Sequence, residues 1–171
     1  MPQVPLEQLP PTSRLWIFGA SQPLNPQQQA RLLEVVDGFL DGWKAHGSLL
    51  QSARELRDDH FLIVAVDPGV TTSGCSIDKL FGTLQGLEKD LGVSMVDSGR
   101  IFFRDTGGTV RSVERPQFRD LVARGEISPS TPVFDTTLEE LGGLADKFEK
   151  PASQSWHARA FSIQESELAA R

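Results

Sequence analysis

The stretch HFLIVAVDPGVTTSGCSIDKLF (residues 60–81) decides the fold, because it joins an apolar strand to a helix through a Gly-rich loop. The almost unbroken apolar run at 60–67 predicts a strand that is central in its sheet or covered on both faces. After the loop, hydrophobic residues recur at helical spacing, which predicts a helix that Gly92 ends. Its apolar positions are Ile77, Leu80, Phe81, Leu84, Leu87 and Leu91.

The loop GVTTSGCS (residues 69–76) matches the phosphate-loop spacing G-x-x-x-x-G-K-[ST] at every fixed position but one. Cys75 stands where that motif has lysine. In such a loop the lysine neutralises the β- and γ-phosphates, which a cysteine does not do. The sequence therefore predicts neither a working nucleotide site nor an ATPase.

Three interpretations of this loop stay open. In the favoured one it is an ordinary helix start, with Cys75 as a small buried hydrophobe. In the second, Ser73, Gly74, Cys75 and Ser76 bind an anion through free N–H groups at the helix N-terminus. In the third, the helix dipole activates the Cys75 thiol as a nucleophile. That chemistry needs a base, and His46, His60 and His157 are brought near only by the fold.

Outward from this stretch, strands and helices alternate in the order β-α-β-β-α-β. The pattern N-P at Asn25-Pro26 predicts a capped helix start, and Gly47 is the predicted helix end. Asp58-Asp59 predicts a hairpin turn. This order favours an α+β fold, a ferredoxin-like sandwich with an added hairpin strand, over an open parallel α/β sheet. The predicted strands are 14–18, 49–57, 60–67, 100–104 and 109–113.

The rest of the chain predicts a helical C-terminal extension. A short helix is expected at 116–125, an extended piece at 131–135, and a third helix from Thr137, where Thr137 and Glu140 form a capping box. The expected organisation is a flexible or draped proline-rich arm, a single α+β domain with its core and packed extension, and a tail. These segments are 1–13, 14–161 (core 14–113, extension 114–161) and 162–171.

Two further groups of residues are candidate ligand-binding sites. Residues 100–124 hold six arginines and three acids, a net charge of +3, and Arg100 and Arg104 share one strand face. Arginine suits bidentate contacts with carboxylates or phosphates, although a solvated face with ion pairs is the simpler interpretation. In the tail, Trp156 and His157 suit stacking on a ligand and hydrogen bonding to it. Pinning of the tail to the core is the simpler alternative.

Composition limits the function classes. The net charge of −6 and the pI near 5.1 argue against nucleic-acid or membrane-surface binding. No apolar run is long enough to span a bilayer, and no signal peptide is visible at the start of the sequence. A single cysteine fits a reducing compartment, so a cytoplasmic protein is expected. The histidines are scattered and no C-x-x-C spacing occurs, so neither a metal nor a cofactor is expected.

Five segments together resemble an uncharacterised family of small bacterial proteins from Bacteroidetes-type genomes. They are LWIF, GWKAHG, SGCSID, VFDTTLEELG and PASQSWHARAF. The resemblance covers roughly residues 14–161. Members of that family are sometimes labelled ABC-transporter ATPases, but this chain has no loop lysine and no LSGGQ-like segment. The resemblance therefore implies a boundary and motif positions, but no mechanism.

The sequence as a whole predicts a binding module for a small anionic ligand or a protein partner. The alternative is a thiol-dependent enzyme that uses Cys75.

Overall fold

The computed structural model describes residues 3–45, 47–67, 69 and 74–163, without the side chains of 45 and 74–76. Over this range the fold is mixed α+β, with four α-helices and two main antiparallel sheets. The helices are α1 (Pro26–Asp41), α2 (Gly74–Leu91), α3 (Arg115–Ala123) and α4 (His157–Ala160). The strands are β1 (Arg14–Gly19), β2 (Lys44–Ala45), β3 (Ser48–Leu49), β4 (Ser52–Arg57), β5 (Phe61–Val66), β6 (Arg100–Arg104), β7 (Val110–Glu114), β8 (Pro132–Phe134) and β9 (Glu149–Pro151).

Contacts divide the chain into two compact units, each built from two segments. Unit 1 comprises Met1–Asp97 with Thr137–Leu144, and unit 2 comprises Ser98–Thr136 with Ala145–Arg171. Whether 14–161 forms a single domain stays a prediction. Each unit has its own antiparallel sheet and its own hydrophobic cluster.

In unit 1, β5 is the central strand between β1 and β4, and both pairings are antiparallel. All six residues of Phe61–Val66 are fully buried, as the unbroken apolar pattern predicted. Leu62, Val64 and Val66 share a hydrophobic cluster with apolar side chains of α1 and α2. Because side chains alternate along a strand, Phe61, Ile63 and Ala65 project from the opposite face, which is buried too.

The turn between β4 and β5 is the one that the sequence predicted. Asp58 and Asp59 both have φ of 55°, the left-handed region that Asp tolerates better than most residues. His60 follows, buried, with Nδ1 3.1 Å from the carbonyl oxygen of Asp58. This local turn fixes the register of the hairpin, since Arg57 lies directly opposite Phe61.

Helix α1 begins as predicted but ends earlier. Asn25 accepts a hydrogen bond from the backbone N–H of Gln28, whose side chain caps Asn25 in return. The helix stops at Asp41 instead of continuing to Gly47. Gly47, with φ of 81°, lies instead in the turn of the short β2–β3 hairpin, where a positive φ is needed.

The helix predicted from Thr137 is wrong. Residues 137–140 are non-helical and are followed by a single 3₁₀ turn, Leu141–Gly143. The backbone here bonds to the start of the chain: the N–H of Leu15 donates to the carbonyl of Glu139, and that of Leu141 donates to Ser13. A backbone engaged in this way is not available for helical hydrogen bonds, so tertiary pairing overrides the capping box.

Residues 3–13 of the proline-rich arm belong to unit 1. The N–H of Val4 donates to the carbonyl of Ser52 at 2.8 Å, and Leu9 is buried. Gln3 forms a parallel bridge with Ser52. The arm therefore continues the pairing of the unit 1 sheet beyond β4.

The ferredoxin-like topology is not confirmed. It would place 100–104 in the sheet of the first strands, but β6 pairs with β7 and β8. Unit 2 is a four-stranded sheet in the order β7-β6-β8-β9. Ile101 and Phe103 project to one face, where Phe118 of α3 and Phe161 after α4 pack with them.

The side chains of Asp37 in α1 and Arg54 in β4 form a bidentate pair, with N–O distances of 2.8 and 2.9 Å. The hydrogen bond from Arg54 is the main reason that the pKa of Asp37 is lowered. A depressed carboxyl pKa contributes stability above its unfolded value, and this is lost as the pH falls through the folded value. We expect Asp37→Asn to cost about 1 kcal/mol at pH 7, since the pair is partly exposed, and less near pH 3.

Urea denaturation of wild type and Asp37→Asn at the two pH values measures this difference. Asp90→Asn is the matched control, because Asp90 forms a more exposed pair with Arg31 at 3.4 Å. An equal loss for Asp37→Asn and Asp90→Asn at pH 7 would contradict the assignment.

Candidate functional site

The predicted loop site lies outside the described residues. Residues 70–73 are not described, and α2 begins at Gly74. The predictions for Ser73, Gly74, Cys75 and Ser76, including the thiol-enzyme alternative, therefore stay predictions. Before the loop, Asp67 accepts a hydrogen bond from the N–H of Gly69 at 2.7 Å.

The two predicted ligand-binding arginines are engaged within unit 2. Arg100 donates to Ser112 on the neighbouring strand, through Nε to Oγ at 2.6 Å and through Nη2 to the carbonyl at 3.2 Å. Arg104 donates to both carboxylate oxygens of Glu149 on β9, at 2.8 and 3.0 Å, and to the carbonyl of Gly108 at 2.9 Å. These bonds tie strands and turn together. All three guanidinium nitrogens of Arg104 and two of those of Arg100 are engaged in these bonds.

Trp156 and His157 contact each other and the unit 2 core. The two rings stack with centroids 3.9 Å apart, and the Arg115 guanidinium lies 5.5 Å from the indole centroid. Trp156 is half-buried against the hydrophobic cluster of unit 2. His157 is the fully buried member of the pair. The ring surface predicted to stack on a ligand already carries two protein contacts.

His157 is held neutral by its surroundings. Burial is the main reason that its pKa is lowered to about 4; Asp135 opposes the shift, and Arg115 and Lys150 add to it. Its Nδ1 lies 2.8 Å from Ser155 Oγ. Among the described residues, His157 Nε2 has no hydrogen-bond partner. A serine beside a histidine suggests nucleophilic chemistry, but a base of such low pKa draws the Ser155 proton poorly near pH 7.

Unit 2 contains a cleft of about 770 Å³ beside the turn that joins β6 to β7. One wall is this turn, residues 104–109, and the other is the segment 125–132 that links α3 to β8. Four apolar side chains also line it: Phe103, Leu121, Ile127 and Pro132. Trp156 does not contribute to this cleft and lines a separate open hollow of about 440 Å³ with Ser155 and Arg159. Arg104 and Trp156 thus line different cavities.

The turn wall is fixed by Asp105. Its Oδ1 accepts hydrogen bonds from the N–H groups of Gly107 and Thr109, both at 3.0 Å. Gly108 has φ of 83°, a backbone conformation that favours glycine, and its N–H donates to the carbonyl of Asp105. The turn DTGG is therefore self-supporting, and the side chains of Thr106 and Thr109 make none of these bonds.

The opposite wall carries three hydroxyls close together. Ser128 Oγ lies 3.0 Å from Ser130 Oγ and 3.3 Å from Thr131 Oγ1. Thr131 Oγ1 also accepts a hydrogen bond from the N–H of Ser128 at 2.9 Å. Each hydroxyl both donates and accepts, so this group keeps hydrogen-bonding capacity for a ligand.

Arg111 supplies the accessible cation of the cleft. Its side chain is 54% exposed, and its contact with Asp105 is long, at 3.9 Å. Its guanidinium lies 5.9 Å from the centroid of Phe103, directly across the β6–β7 pair. This guanidinium therefore keeps donors free for an anionic group.

The sequence placed Arg111 in the arginine series but did not select it, and it did not select the hydroxyl residues at all. The segments DTGG (105–108) and SPST (128–131) consist of residues that favour turns. Their polar, turn-rich composition was the signal in the sequence that could have identified them as candidate ligand-binding segments. Only the pairing of β6 with both β7 and β8 brings the two turns to one cleft.

Comparison of the chain with models of known families, with curated proteins and with solved structures gave no match. Over the described part of the chain, every helix is too short or too polar to cross a membrane. The same part brings no three His, Cys, Asp or Glu side chains together as a metal site.

We predict that His157 makes the protein acid-sensitive. The unfolded chain binds a proton near pH 6.5 and the folded chain only near pH 4, so stability falls as the pH drops between these values. A shift of this size amounts to roughly 3 kcal/mol. His157→Gln should be less stable than wild type at pH 7.5 but should lose less stability on acidification.

Urea denaturation at pH 7.5, 6 and 5 tests this. Burial also lowers the pKa of His60, so His60→Gln serves as the matched control and should retain the His157 contribution. Equal losses on acidification in wild type and His157→Gln would refute the prediction.

We predict that the tail stabilises unit 2. Trp156→Ala should cost on the order of 2 kcal/mol, less than the roughly 3–5 kcal/mol of a fully buried tryptophan, because the indole is half-buried. A chain ending at Lys150 should lose more, since Phe161 and Ile163 are both buried in the unit 2 cluster. Thermal denaturation measures both effects, with the exposed Arg159→Ala as control. Wild-type melting of the shortened chain would show that the tail contributes nothing.

Proposed function

We propose that this protein is a binding module whose unit 2 cleft takes a small ligand with an anionic group. The observation that carries the proposal is Arg111, a half-exposed cation on the wall of a cleft of about 770 Å³. Arginine donates two parallel hydrogen bonds to a carboxylate or phosphate, and such charge-assisted bonds are stronger than neutral ones.

The cleft has the size of a small-molecule site, and more polar residues than apolar side chains line it. Such sites usually measure about 300–1,000 Å³ and combine an apolar lining with a few polar groups that orient the ligand. Here Phe103 and Ile127 are among the apolar lining residues, and the turns at 104–109 and 128–131 supply the polar groups. Both walls are held by hydrogen bonds within the protein, which reduces the ordering needed on binding.

The two cleft arginines have different roles in this proposal. Arg104 already donates to both oxygens of Glu149, so it positions the turn. Within the described residues, the 3.9 Å contact with Asp105 is the single ion pair of Arg111, and Arg111 therefore receives the ligand. This moves the predicted anion contact from Arg100 and Arg104 to Arg111.

We expect lactate and inorganic phosphate, added to the ¹⁵N-labelled full chain at millimolar concentrations, to shift amide signals of residues 104–111 and 125–132. Arg111→Gln should abolish the shifts, because it removes the cation and keeps a polar side chain of similar reach. NMR titration of both proteins measures this.

Arg119→Gln is the matched control, since it removes the same charge from unit 2 at an exposed position outside the cleft lining. The proposal fails if neither anion shifts these amides, or if Arg111→Gln and Arg119→Gln respond alike.

A further inference from the structure

We infer that the ligand is a polyhydroxy monocarboxylate, that is, a sugar acid or a related hydroxylated acid. This inference rests on the proposed anion-binding function and adds the rest of the ligand's chemistry. It follows from the hydroxyls on both walls, the charge balance of the cleft and its apolar lining.

Residues with hydroxyl side chains line both walls of the cleft. Thr106 and Thr109 lie on the turn wall, and Ser128, Ser130 and Thr131 on the other. A hydroxyl donates and accepts hydrogen bonds, which matches the ligand hydroxyls of a polyol but exceeds what a simple anion uses. A ligand with hydroxyls along its chain or ring would bond to both walls at once.

The charge balance of the cleft favours a ligand with a single negative charge. Arg104 is neutralised by Glu149, and Glu126 pairs with Arg124 at 3.2 Å. Asp105 and Arg111 remain as one anion and one cation lining the same cleft. Arg111 balances the single charge of a monocarboxylate, whereas a dianionic phosphate would leave one negative charge unbalanced in the cleft that Asp105 also lines.

The carboxylates that line the cleft provide acceptors for the ligand hydroxyls. Ionised Asp and Glu accept hydrogen bonds from hydroxyl donors. Oδ1 of Asp105 is occupied by two backbone N–H groups, which leaves Oδ2 beside Arg111. The apolar side chains of Phe103 and Pro132 provide contact for the C–H groups of the ligand. A hydroxylated carbon skeleton carrying one carboxylate satisfies all of these groups together.

Four probes of the full chain by NMR titration separate the components: D-gluconate, butyrate, D-glucose and glucose 6-phosphate. Gluconate has the carboxylate and the hydroxyls, butyrate the carboxylate only, glucose the hydroxyls only, and glucose 6-phosphate a dianion. We expect gluconate to bind roughly tenfold more tightly than butyrate or glucose, the effect of one or two additional net hydrogen bonds. Glucose 6-phosphate should bind more weakly than gluconate.

Ser130→Ala should weaken gluconate binding several-fold and leave butyrate unchanged. Ser130 is exposed, so the variant should fold. Ser153→Ala, in the same unit but outside the cleft lining, should leave both affinities unchanged.

The outcomes separate the inference from the proposed function. Equal affinities for gluconate and butyrate would show that the ligand hydroxyls do not contribute to binding. Tighter binding of glucose 6-phosphate than of gluconate would show that the site does not prefer a single negative charge. In both cases the proposed anion site stands. Equal affinities for gluconate and glucose, both insensitive to Arg111→Gln, overturn the proposed anion site itself. Absence of binding by all four probes overturns both.

Discussion

Unit 1 depends on one constraint, the burial of β5 on both faces and along both edges. Every residue from Phe61 to Val66 is inaccessible to water, so each backbone N–H and C=O needs a partner within the protein. Antiparallel pairing with β1 and β4 supplies those partners. The packing of α1 and α2 on Leu62, Val64 and Val66 follows, because an amphipathic helix and an apolar sheet face cover each other.

In unit 2 the interactions on which the cleft depends are the hydrogen bonds of Arg104. Its bonds to Glu149 and to the Gly108 carbonyl connect β6 with β9 and with the turn at the mouth of the cleft. A guanidinium used in this way stabilises the wall and no longer acts as a ligand group. Arg111, on the neighbouring strand β7, remains as the accessible cation of the cleft. The structural role of Arg104 therefore determines the proposed functional role of Arg111.

The sequence predicted the helix starts and turns that depend on residues close together in the chain. The start of α1 follows from Asn25 and Pro26, and the β4–β5 hairpin from Asp58 and Asp59. The prediction at Thr137 failed because the backbone at 137–141 bonds to residues 13–15, which lie far away in sequence. A capping box contributes about 1 kcal/mol, too little to compete with backbone pairing in a sheet-like arrangement.

The sequence by itself determined the α+β class and the buried strand at 61–66, because these depend on periodicity within one segment. It did not determine which arginine stays accessible, nor that the turns at 105–108 and 128–131 share a cleft. Those properties depend on strand pairing between β6 and β8 and on the partner that each side chain finds in space. The tertiary structure decided them, since a side chain's availability depends on neighbours that no single segment contains.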